Sequence, residues 1–138
     1  MILPKTEYLK SVEKLFCVCY PVSFYEFCEK NTDNSFENYH DLSEGQFINN
    51  IETLIKVNEL IGYEQWADYE KAIAGKIHPK DGKRLWGELL PVYFNNGIIY
   101  GYKYNEPYNQ SVYVWSTHSI VYEYKDINDW INGICCLK

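Results

Sequence analysis

The sequence predicts an α+β domain, on three observations. Apolar residues recur at helical spacing through the first half of the chain, switch to two-fold alternation from Glu88, and return to helical spacing after Asp126. The expected architecture is N-terminal helices, a mostly antiparallel sheet of three to five strands, and a C-terminal helix packed on it, in a single domain of residues 1–138. A chain of 138 residues should bury roughly 68% of the surface its unfolded form exposes, enough for one core.

The first helix is expected over "TEYLKSVEKLF", where Tyr8, Leu9, Val12, Leu15 and Phe16 form one stripe and Thr6 can serve as N-cap. "YPVSFYEFCEKN" follows as a second short helix, with Pro21 in its first turn, Phe24, Phe27 and Cys28 on one side, and an end near Asn31. "NTDNSFENYHD" reads as a polar loop. Ser43 and Gln46 have capping-box spacing, so "FINNIETLIKVNELIG" is expected to be a helix from Phe47, stopped by Gly62. "YEQWADYEKAIAG" can form another helix, burying Trp66, Tyr69 and Ile73, and "HPKDGK" turns the chain.

Strands are expected in "ELLPVYF", "GIIYGYKYN", "SVYVWS" and "SIVYEY", each rich in Val, Ile and Tyr and bounded by turn residues. Val112 and Val114 alternate with Tyr113 and Trp115, and both sets are apolar. Such a sheet is either covered on both faces or uses one face to bind. Asp126 can cap the last helix, "INDWINGICC", with Ile127, Trp130, Ile131 and Ile134 inward.

Composition narrows the function. The chain is 46% hydrophobic, yet its mean hydropathy is −0.40 and no apolar run approaches the ~20 residues that span a bilayer, so no membrane partner is expected. "MILPKTEYLK" lacks the order of a secretory signal, and five cysteines give an odd count with close spacings, so a cytoplasmic chain with reduced thiols is expected.

Net charge is −6, unevenly spread. Glu26 to Glu70 holds eleven Asp/Glu against two Lys, and Lys71 to Arg84 holds five basic residues against Asp81. An acidic face repels phosphate backbones and steers basic partners, though the same charges also suit solvated helix faces. Nucleic acid is therefore not an expected partner: seven of fourteen tyrosines lie between Tyr100 and Tyr124, where Lys103 is the lone basic residue. Those tyrosines suit either half-buried strands or a protein-binding face.

No catalytic constellation emerges. Cys17 and Cys19, placed two apart on a predicted helix, should diverge, Cys135 and Cys136 are adjacent, and no histidine has a metal-binding partner at a recognised spacing. There is no Gly-x-Ser-x-Gly elbow and no phosphate loop. The expectation is a non-enzyme with no metal and no cofactor. His118 is expected to be a turn residue between two strands.

The order of "YPVSFYEFCEKN", "LLPVYFNNG", "SVYVWSTHSIVYEY" and "INDWI", from Tyr20 to Ile134, resembles the SUKH superfamily, which includes fungal glucan-synthesis regulators and bacterial immunity proteins. Tyr20-Pro21 stands where Leu-Pro is usual, Leu90-Pro91 begins the central strand, and Val112 to Trp115 with Thr117-His118 matches the late strand and its turn. "GIIYGYKYN" departs from the family by lacking an aspartate, and "NTDNSFEN" stands where Gly-Gly is usual.

The resemblance implies a binding protein, an antidote to a cognate toxin such as a nuclease or another secreted effector; the acidic charge of the chain fits a basic toxin, and a monomer or weak dimer is expected. A regulatory or scaffold module and a small-molecule binder are the alternatives. Expected partner-binding residues are Glu37, Asp41 and Glu44 in the acidic segment, and Tyr102, Tyr104, Tyr108, Trp115 and His118 around the late strands.

Overall fold

The computed structural model of the chain describes residues 3–31, 45–64, 76–77, 84–85, 88–104, 106, 108–117 and 119–136. Side chains are described within these ranges except at 62–64, 76–77, 84 and 134–136. The described helices are α1 (Thr6–Phe16), α2 (Val22–Lys30), α3 (Ile51–Glu64) and α4 (Ile127–Cys136). Strands are β1 (Gln46–Phe47), β2 (Lys76–Ile77), β3 (Arg84–Leu85), β4 (Leu89–Asn95), β5 (Ile98–Lys103), β6 (Val112–Ser116) and β7 (Ser119–Tyr124). Five of them form an antiparallel sheet in the order β1-β4-β5-β6-β7, and β2 pairs with β3 in a separate ladder. The architecture is α+β, as the change of period predicts.

The hairpins follow from local chemistry. Asn96 and Gly97 both have positive φ, 54° and 84°, which a two-residue turn matched to strand twist requires. Gly101, opposite Pro91, sits so close to the Leu90 carbonyl that a Cβ there would collide with it. Val92 is an extra residue between the pairs Pro91–Gly101 and Tyr93–Tyr100, a bulge that re-aims β4 just after its proline.

Directly opposed residues share a face, so the register draws one row across all five strands: Phe47, Tyr93, Tyr100, Val114 and Tyr122. Helices α2 and α4 pack on this face. The Trp130 ring lies 5.9 Å from Phe47, 5.4 Å from Tyr93 and 5.1 Å from Tyr100, and Phe24 lies 5.5 Å from Tyr102. The other face carries Leu89, Ile99, Tyr113 and Trp115, all buried. Both faces of the inner strands are therefore core. On β7, Ser119 to Glu123 are exposed on both faces.

Several expected boundaries shift. Helix α1 has Lys5, not Thr6, at its N-cap position and no side-chain cap, with Glu7 in the first turn opposing the exposed N–H groups. Gln46 and Phe47 belong to a strand rather than a helix, because Phe47 completes the ring cluster beside Tyr93, 4.9 Å away. Helix α3 starts four residues later. Asn50 caps it, its Oδ1 accepting from the Thr53 N–H at 2.9 Å. Gly62 lies inside its last turn instead of stopping it. Asp126 caps α4 as expected, accepting from the Asp129 N–H at 2.8 Å.

Beyond β1, α3 closes the free edge of β4. The Glu88 carbonyl accepts from Tyr104 N–H at 3.2 Å, so the Leu89 carbonyl points the other way, and Asn58 Nδ2 donates to it at 3.4 Å. That bond puts a fully buried asparagine to use. The β2–β3 ladder flanks "HPKDGK", where only a turn was expected. The expected helix over 63–75 falls almost wholly outside the described residues.

Candidate protein-binding site at the Tyr108 loop and the outer strand

Four strands and a helix converge at one end of the sheet. Leu89 of β4 opposes Lys103 of β5, and Val112 of β6 opposes Tyr124 of β7, just before α4 begins. The β5–β6 connection projects from this end. Its described residues are bonded to one another: Glu106 N–H donates to the Lys103 carbonyl at 3.2 Å and Asn109 N–H to the Glu106 carbonyl at 2.9 Å.

Asn109 ties the loop to the sheet. Its Nδ2 donates to the Tyr113 hydroxyl at 2.7 Å and to Glu106 Oε1 at 3.2 Å, while its Oδ1 accepts from the Ser111 N–H at 2.9 Å. Ser111 Oγ in turn donates to Glu123 Oε2 at 2.8 Å, which joins the loop base to β7. Tyr108 is 95% exposed. A ring held out by a pinned turn loses little entropy when a partner covers it, which is the physical basis of an aromatic anchor.

The surrounding charge is acidic. Among the described residues this end carries Glu88, Glu106, Glu123, Asp126 and Asp129 against Lys103 and Lys125. Lys103 is committed inward: its Nζ lies 4.6 Å from the Tyr113 ring centre and 3.8 Å from Glu88 Oε2. The Glu88 partner is exposed, so that ion pair contributes little to stability.

The outer strand adds an apolar element. Val121 and Tyr122 are each 57% exposed and Ile120 is 37% exposed. Val121 is an extra residue between the pairs Trp115–Ile120 and Val114–Tyr122, so the free edge is bulged. A bulge interrupts the regular spacing of edge N–H and C=O groups, which disfavours adding another strand and leaves side chains as the contact.

The expected partner-binding residues divide sharply. Tyr108 is fully presented. Tyr102, Tyr104 and Trp115 are buried, so their rings do not form a surface; central strands are covered on both faces, and residue type alone did not reveal which strands were central. Burial pushes the Tyr102 hydroxyl well above its ordinary pKa, keeping it neutral. Glu37, Asp41, Glu44 and His118 lie outside the described residues. Ile120, Val121 and Tyr122 were missed as surface; the available signal was that β7 is the last strand before the closing helix.

At the opposite end, Gly45, Gln46, Phe94, Asn95 and Asn96 line a wide-open, mostly polar depression that would enclose little of a small ligand. Among the described residues no three His, Cys, Asp or Glu side chains converge as metal ligands, and no helix is long and apolar enough to cross a membrane. No family model matches the chain, and neither a curated protein nor a solved structure matches it.

Proposed function

We propose that the chain is a non-catalytic binding protein of the SUKH type that neutralises a basic toxin by covering its active surface. The observation that carries this reading is Tyr108, an exposed ring on a loop tied to the sheet by Asn109, at an end of the sheet where acidic side chains outnumber basic ones. An anchor ring within an acidic field suits a cationic cleft, since charge steers the encounter and the ring supplies short-range affinity. The order of two helices, sheet and closing helix also agrees with what the family resemblance implies.

The test is co-expression with the products of the genes adjoining its own. The expected result is that one of them arrests growth when expressed alone, is silenced by this chain, and forms a one-to-one complex whose affinity falls with salt. If no neighbouring product is toxic, or a toxic one is neither bound nor silenced, the proposal fails.

A further inference from the structure

The dipeptide Asn-Gly occurs twice in the chain, at Asn96-Gly97 and at Asn132-Gly133, on two different backbones. This dipeptide carries its own reaction, because a glycine has no Cβ to hinder attack by its nitrogen on the side-chain carbonyl carbon of the asparagine before it. The N–Cγ bond forms, the Cγ–Nδ2 bond breaks, and Nδ2 leaves as ammonia with the proton of the glycine N–H. One water then opens the imide, at Cγ to give aspartate or at the main-chain carbonyl to give isoaspartate, whose backbone runs through Cγ. No oxidant or reductant is needed. Ring closure requires the asparagine Cβ to eclipse the next nitrogen, which happens at ψ of about −120°, the value of the first central residue of a type II′ turn. Backbone conformation therefore selects which pair reacts.

The hairpin pair is open to attack. Asn96 and Gly97 are the central residues of the β4–β5 turn, closed by the pair Asn95–Ile98. Both are exposed, and nothing lies within 4 Å of where a Gly97 Cβ would stand. Among the described residues the Asn96 amide has no hydrogen-bond partner. The closing pair engages the N–H groups of Asn95 and Ile98, which leaves the Gly97 N–H outside the ladder. The φ values of 54° and 84° define a type I′ turn. A type II′ turn keeps the first φ positive and makes the second negative, and a hairpin accepts either. Turning over the 96–97 peptide plane thus converts one into the other with both strands in place, since glycine tolerates both signs of φ. That flip sets the Gly97 nitrogen against Asn96 Cγ.

The helical pair is held away from this geometry. Asn132 and Gly133 lie within α4, where ψ is about −42° and the Gly133 N–H belongs to the ladder of bonds to the carbonyl four residues back. The Tyr124 ring also covers the position, since a Cβ built on Gly133 would stand 3.1 Å from its Cε1. Reaction there requires the helix to open first.

We propose that Asn96 is a modification site of the folded chain, deamidating through attack by the Gly97 nitrogen, while α4 protects the identical pair at Asn132. The product places a new carboxylate at the rim of the depression lined by Gln46, Phe94 and Asn95, and its isoaspartyl form lengthens the turn by one backbone atom. An isoaspartyl carboxylate is a substrate for a carboxyl methyltransferase that uses S-adenosylmethionine. The site lies at the opposite end of the sheet from Tyr108 and does not rest on the proposed binding role.

The experiment holds full-length wild type and Asn96→Gly at mildly alkaline pH, either folded or in guanidinium chloride. Samples are labelled with tritiated S-adenosylmethionine and an isoaspartate methyltransferase, and both Asn-Gly sites are followed by peptide mass spectrometry. Glycine at position 96 accepts the positive φ, and far-UV circular dichroism confirms the fold of the variant. In folded wild type, deamidation at Asn132 should be at least about tenfold slower than at Asn96, because α4 must open first. In denaturant the two rates should converge to within about twofold. Folded Asn96→Gly should lose the methyl acceptance that folded wild type acquires. Deamidation at Asn96 no faster than at Asn132 in the folded chain, rates that stay apart after unfolding, or methyl acceptance retained by folded Asn96→Gly overturns the proposal.

Discussion

The row Phe47–Tyr93–Tyr100–Val114–Tyr122 crosses the sheet on one face, yet its two ends meet opposite fates. Phe47 and Tyr93 are 3% and 1% exposed beneath Trp130, while Tyr122 is 57% exposed. The residue chemistry scarcely changes along it; the cover does. The loop repeats the contrast, since Tyr102 and Tyr108 are six positions apart and stand at 1% and 95%. Exposure of a ring is thus a property of its place in the sheet, and the rings left outside are the ones available to a partner.

The strongest way to break this comparison is to remove the cover. Trp130→Ala should cost about 3–5 kcal/mol, a large share of the stability of one domain, and should be visible in chemical denaturation. A loss below about 1 kcal/mol would mean that the ring cluster is not the core. Tyr102→Ala should cost a similar amount, whereas Tyr108→Ala should change stability by no more than about 0.5 kcal/mol.

A carboxylate with a purely structural duty sharpens the contrast with the acidic rim. Glu13→Ala removes acceptors for the Tyr20 N–H and the Tyr25 hydroxyl and should cost about 1.5–3 kcal/mol by urea denaturation. Glu106→Ala, at the exposed loop, should be nearly silent in the same assay.

Alkaline pH separates buried from exposed groups in another way. The Cys28 thiol titrates near 12 when folded and near its ordinary value when unfolded, so the unfolded chain releases its proton first. This contribution is complete below about pH 9 and is lost as pH rises towards 12, at up to about 1.4 kcal/mol per pH unit. Tyr20 and Tyr102, also raised by burial, steepen the loss at higher pH. Denaturant midpoints measured from pH 8 to 11 should fall, and Cys28→Ala should shallow the early part of that fall. A modest loss is expected at a cap: Asn50→Ala should cost about 1 kcal/mol of thermal stability.

The sequence announced most of the fold through period alone. Tyr8, Leu9, Val12, Leu15 and Phe16 make the stripe that α1 buries, and the four long strands fall where Val, Ile and Tyr alternate between turn residues. Phe47 and Ile48 misled because an apolar pair fits a helix or an edge strand equally, and only the long-range pairing of Phe47 with Tyr93 decides. The site was half legible for the same reason. Tyr108, flanked by Pro107 and Asn109, announced a loop, but the burial of Tyr102, Tyr104 and Trp115 depends on strand order, which no local pattern encodes. Cys17 and Cys19 were placed on a helix by extending α1 past its left-handed cap, Cys17.

The proposed function meets its most direct test in calorimetric titrations of the growth-arresting neighbour product with wild type and Tyr108→Ala, at low and high salt. The account expects one-to-one binding by wild type that weakens with salt, and at least a tenfold loss in Tyr108→Ala with its melting temperature unchanged. Equal affinities for the two proteins, insensitive to salt, would contradict it.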